Sequence, residues 1–97
     1  MLKDILSQNP GDAFARYGLA MEYSNSGKVS EAMNEFKALL KSHPDYTAGY
    51  FMAAQALSRE NRMDEARKML QEGIAAAQRT GNEHARSEME GMLADLG

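Results

Sequence analysis

Apolar residues recur along this chain at intervals of three and four. Arg16, Leu19, Ala20 and Tyr23 show that spacing, with the arginine stem able to cover apolar surface in place of a true hydrophobe. Val29, Ala32, Met33, Phe36, Leu39 and Leu40 repeat it. It returns in Tyr50, Ala53, Ala54 and Leu57, and again in Met63, Ala66, Met69, Leu70 and Ile74. Each run puts one apolar stripe on a helix and leaves the opposite side polar. The alanines have a steric role. Two antiparallel helices approach closely only where the crossing residues are small, so a large side chain at Ala32 should overpack the crossing.

The pattern also repeats over a longer distance. Pro10 and Pro44 stand 34 residues apart, the period of a helix–turn–helix array. Placing the first position at Ala13 gives units at 13–46 and 47–80. Ala20 then pairs with Ala54, Ala32 with Ala66, Tyr23 with Leu57, Phe36 with Leu70 and Leu40 with Ile74. Gly27 pairs with Asn61, the two residue types that best tolerate left-handed backbone at a helix end. Ser30 and Asp64 pair as N-cap candidates, each followed by a glutamate that suits the helix dipole.

The ends fit the same ruler. Moved back by one period, Leu2 aligns with Phe36, Ile5 with Leu39, Leu6 with Leu40 and Pro10 with Pro44. Segment 1–12 therefore reads as the second helix of a unit whose first helix is missing. Gln78 stands where a third proline would fall, so the helix containing Ile74 is predicted to run on through Arg79. Segment 81–97 reads as a last, capping helix. Asn82 is its N-cap, and Ala85, Met89, Met92, Leu93 and Leu96 form its apolar stripe. Its outer face is polar, as the end of a repeat array requires. That face and Met1 lead to the expectation of a whole small protein.

Together these positions resemble the tetratricopeptide repeat. That family has small residues where Ala20, Ala54, Ala32 and Ala66 stand here, and large apolar or aromatic ones at Tyr23, Leu57, Phe36 and Leu70. It closes units with proline, as at Pro44. The position usually held by tryptophan or another large residue is Arg16 in one unit and Tyr50 in the other. The resemblance implies an all-α fold, a right-handed α-α superhelix of about six antiparallel helices. It also implies a binding groove lined by the first helix of each unit. Carried over, the groove positions are Phe14, Tyr17, Met21, Ser24 and Asn25, then Ala48, Phe51, Gln55, Ser58 and Arg59. Glu83, Arg86 and Glu90 follow on the last helix.

The residues support a second surface independently. Leu19, Ala20 and Tyr23 already supply a packed face, yet Phe14, Tyr17 and Met21 lie on another side of the same helix. Some members of the family clamp acidic chaperone tails with lysine and asparagine, at positions that here are Tyr17 and Met21. That ligand is therefore not expected. The expected ligand is a protein or peptide segment with apolar anchors, and an acidic group near Arg59 and Arg86.

Composition narrows the function. The chain has 97 residues, 43% hydrophobic and 26% charged, which suits one globular domain. Valine and isoleucine are few, so helix is favoured over strand. There is no cysteine, which excludes disulfides and thiolate metal sites. A net charge of −3 with acids and bases interspersed argues against a nucleic-acid partner. No apolar run reaches membrane-spanning length, and no signal-peptide pattern is visible, so the expected location is cytoplasmic. His43 reads as a turn residue and His84 with Glu88 as a surface pair, not as metal ligands. Most of the eight methionines fall on stripe positions, among them Met33, Met63, Met69, Met89 and Met92, and read as core filling. No catalytic constellation or phosphate loop appears, so no cofactor is expected and the chain is not read as an enzyme. The expected function is protein–protein interaction through the groove. The alternative is a structural homodimer formed through the same apolar face.

Overall fold

Each apolar stripe is too wide to leave in water, and the helices pair to cover them. The computed structural model describes residues 2–96. Met1 and Gly97, the outermost residues of the expected end segments, lie outside the described residues. Six helices follow one another: α1 (Leu2–Gln8), α2 (Ala13–Asn25), α3 (Val29–Ser42), α4 (Thr47–Arg59), α5 (Met63–Thr80) and α6 (Glu83–Asp95). No strand occurs among the described residues. The architecture is an all-α helical-repeat solenoid.

Sequential neighbours pack together, and α2, α4 and α6 also touch in series. The Cα atoms fill a slab of 39 × 30 × 17 Å. The main core joins Ala20, Ala32, Phe36, Ala53, Ala54, Leu57, Ala66 and Leu70 with Ala76, Ala77 and Met89. The repeat alanines Ala20, Ala32, Ala54 and Ala66 are fully buried at the helix crossings, where their small size was expected to matter. A smaller cluster of Leu6, Ala15 and Leu19 seats α1. Met33 and Met89 are buried in the core, with Met69 and Met92 half-buried against it. Met63 is half-buried.

The turns follow the ruler. Gly27 and Asn61 adopt positive φ, 76° and 62°, at equivalent places. In both, the amide three residues beyond the helix end returns to the same carbonyl register: Lys28 N–H to Tyr23 O at 2.9 Å, and Arg62 N–H to Leu57 O at 2.9 Å. The caps differ from expectation. Ser30 and Asp64 are not N-caps; α3 and α5 begin two residues earlier than those caps would give, at Val29 and Met63, with Lys28 and Arg62 in the cap position and no side-chain cap bond. Val29 and Met63 are both half-buried, and burying them extends the helix past the better cap formers. Asp64 instead pairs with Arg67 inside the first turn at 2.7 Å. Side-chain caps occur at Asp12, which accepts from Ala15 N–H at 2.9 Å, and at Asn82, which accepts from Ala85 N–H at 3.1 Å.

Two further expectations are resolved by packing. Ile5 aligns with Leu39, yet Ile5 is 39% exposed where Leu39 is fully buried. Leu39 is covered from both sides of its hairpin, whereas α1 touches only α2. His43 is not simply a solvated turn residue. Its Nε2 lies 3.2 Å from Gly11 O, joining two successive turns.

Candidate functional site

The side of the slab formed by α2, α4 and α6 presents a cleft of about 230 Å³. Tyr17 enters it from α2, and Thr47, Ala48, Phe51 and Met52 from α4. Asn82, the cap before α6, and His84, Ala85, Glu88 and Met89 from α6 complete it. Asn82 Nδ2 donates to Thr47 Oγ1 at 3.4 Å, tying the starts of α4 and α6 together.

The aromatic wall is held in place. Tyr46, in the turn before α4, lies against Tyr17 with ring centroids 5.4 Å apart and planes tilted by 45°. Burial, with a smaller contribution from Tyr46, pushes the Tyr17 phenol above its ordinary pKa, so it stays neutral through the physiological range. Tyr50 OH donates to Pro44 O at 2.7 Å, and Arg79 pairs with Asp45 at 2.7 Å. These bonds brace the α3–α4 turn that carries Tyr46.

The residues expected to form the groove separate into groups. Tyr17 and Phe51 share the cleft. Met21 and Gln55 continue the same helix faces, both half-buried. Asn25 and Arg59 border a shallower depression of about 210 Å³ at the far ends of α2 and α4, with Ser24, Gly27, Val29, Ala56 and Glu60. Arg59 donates to Ser24 Oγ at 2.6 Å. Phe14 stands at the start of α2, 75% exposed, the most exposed large hydrophobic residue among those described. The stripe from Phe14 to Asn25 spans about 16 Å at the helical rise. Arg86 does not line the cleft. It pairs with Glu83 at 2.7 Å and Glu90 at 3.4 Å on another side of α6.

On α6 the cleft is lined by residues other than those carried over from the family pattern. His84, Ala85 and Glu88 enter the cleft, where Glu83, Arg86 and Glu90 were expected. The cause is α5, whose 18 residues carry it past the usual unit end and alter the register of the helix that follows. The usable signal was the His84–Glu88 pair itself, an i,i+4 pair observed at 3.2 Å. Met52, adjacent to a groove position but not on its spacing, carried no such signal.

The opposite side of the slab has a wider cleft of about 300 Å³ between α3 and α5. Its rim carries Lys37, Glu65, Lys68 and Glu72. It follows from the stacking, because α3 and α5 each touch α4 but not one another. No group of three or more histidine or acidic side chains able to hold a metal ion occurs among the described residues. No helix among them is long and apolar enough to cross a membrane.

Comparison with known proteins agrees with this architecture. A tetratricopeptide-repeat family model matches residues 25–88. A TPR repeat-containing protein of Pseudomonas aeruginosa is 26% identical over 95 residues, covering 98% of this chain and 90% of its own length. The solution structure of a tetratricopeptide repeat domain protein from Salinibacter ruber superposes with a TM-score of 0.83 at 30% identity, covering 91% of this chain and 89% of that one. A protein of Bordetella parapertussis shares the fold with a TM-score of 0.83 at 24% identity, over 98% of this chain and 83% of that one.

Proposed function

Because the chain belongs to the tetratricopeptide-repeat family, whose members are in general non-catalytic modules for protein interaction, we propose that it binds a peptide or partner-protein segment in the groove formed by α2, α4 and α6. The observation that carries this reading is the cleft shared by Tyr17 and Phe51 between three helices. Its walls are aromatic and aliphatic, and polar groups sit at its ends, the composition of a site that anchors one or two side chains of an extended segment. Phe14 and Met21 flank the anchor site, while Gln55, Asn25 and Arg59 continue the contact line toward the helix ends. Arg86 stands outside this line.

The test is selection from a displayed peptide library followed by resonance mapping. Selected peptides are expected to shift the amides of Tyr17, Ala48, Phe51 and Ala85. Combining Tyr17→Ala with Phe51→Ala should weaken binding by about tenfold or more, the loss typical of central aromatic anchors. A folded double variant that binds the same peptides unchanged overturns the proposal.

A second reading draws on Phe14. An aromatic ring 75% exposed at the edge of the groove suits a twofold contact between two copies. Sedimentation across a concentration range separates the readings. A dimer abolished by Phe14→Ser supports self-association, and a monomer at all concentrations removes it.

A further inference from the structure

The groove reading leaves open which chemistry the anchor site prefers, and the charges around it bear on that choice. Resting on that reading, we propose that the cleft seats a basic side chain, a lysine or arginine of the partner segment, between the rings of Tyr17 and Phe51 and the carboxylate of Glu88.

Three observations converge. Two aromatic rings line the cleft, and an aromatic face attracts a cation electrostatically, more strongly where water is excluded. Tyr46 backs Tyr17 and limits its movement, so the ring is held in place before a ligand arrives. Glu88 lines the same cleft, and no lysine or arginine does. The arginine nearest in sequence, Arg86, is already engaged by Glu83 and Glu90. Glu88 is half-exposed, and its partner is the still more exposed imidazole of His84 at 3.2 Å. An exposed pair of this kind is weak, so an arriving ammonium or guanidinium displaces the imidazole at little cost. The (CH₂)₄ stem of a lysine matches the apolar lining of Ala48, Met52 and Ala85, while its head reaches the carboxylate. The expected acidic ligand group does not fit this end of the groove. The guanidinium of Arg59 that it would need lies at the other end of α4, in the separate depression.

The experiment is a resonance titration of the whole chain with three capped peptides. One has a central lysine flanked by leucines, and the other two replace that lysine by norleucine or glutamate. The lysine peptide should shift Tyr17, Phe51, Ala85 and Glu88 and bind at least fivefold tighter than the norleucine peptide. The glutamate peptide should bind weakest. Glu88→Gln should bring the ratio of lysine-peptide to norleucine-peptide affinity to about one. Phe51→Leu, which keeps the apolar volume, should weaken the lysine peptide about threefold. Equal binding of lysine and norleucine peptides at these residues overturns the cation site and leaves the groove reading intact. Absence of shifts with all three peptides also overturns it. The groove reading then stands or falls on whether library-selected peptides map to Tyr17 and Phe51.

Discussion

At the scale of single residues, the tightest constraint is one that no repeat position announces. A Cβ placed on Gly73 would sit 2.5 Å from Met89 Sδ and 2.6 Å from Tyr50 Cβ. The methionine sulfur can move aside; the Tyr50 Cβ is fixed to the α4 backbone and cannot. Gly73→Ala should therefore push α5 off α4 and cost about 1–3 kcal/mol, seen as a fall in thermal midpoint of several degrees. Ala32 is fully buried at the α2–α3 crossing. Ala32→Leu should destabilise by a similar amount, about 1–3 kcal/mol; an unchanged melting curve would contradict the packing described. Tyr50 adds a pH dependence. Burial raises its phenol above the ordinary tyrosine pKa, against a smaller lowering by Arg79. A raised folded-state pKa means the stabilisation is whole below the unfolded value and is lost as pH rises through the folded one. Denaturant melts should show stability falling above about pH 10. Tyr50→Phe should flatten that fall while losing about 0.5–1.5 kcal/mol at neutral pH with the hydrogen bond to Pro44 O.

At the scale of elements, α5 departs most from its counterpart. It has 18 residues against 14 in α3, and the added turn, residues 77–80, buries Ala77. Gly81 ends it at φ 69°, with Asn82 N–H returning to Ala77 O at 2.8 Å. Gln78 thus lies inside a helix, where the repeat pattern elsewhere has proline. Gln78→Pro restores the repeat residue but removes an intrahelical hydrogen bond and forces the ring against the carbonyl of Ile74. The expected cost is about 3 kcal/mol, measured by chemical denaturation. Wild-type stability in this variant would mean the helix ends before Gln78.

At the scale of the whole molecule, the helices form a line in which contacts run to near neighbours. Stability in such a stack is a sum of local interfaces, so the ends open before the middle. The α1 helix has seven residues, one buried side chain and a single helical neighbour. Lys3 helps to hold it by placing its ammonium 5.7 Å from the Tyr23 ring centroid. Hydrogen exchange should find α1 amides protected at least tenfold less than those of α4, which packs against α2, α3, α5 and α6. Equal protection would show that the molecule opens only as a single unit.

The sequence by itself determined the helices, their order and the turns between them. Those features follow from local properties: apolar periodicity, the size of alanine at crossings, and the left-handed tolerance of Gly27 and Asn61. It also placed Tyr17 and Phe51 on one surface, because helices with the same register repeat the same face. The tertiary structure decided what depends on distance. Val29 and Met63 begin their helices ahead of Ser30 and Asp64 because burial there outweighs capping. Ile5 is exposed because no helix covers its outer side. Glu88 faces the cleft and Arg86 does not, because the long α5 alters the register of α6. A period in sequence sets which faces recur, but a single added turn changes where the last face points, and only packed helices reveal that rotation.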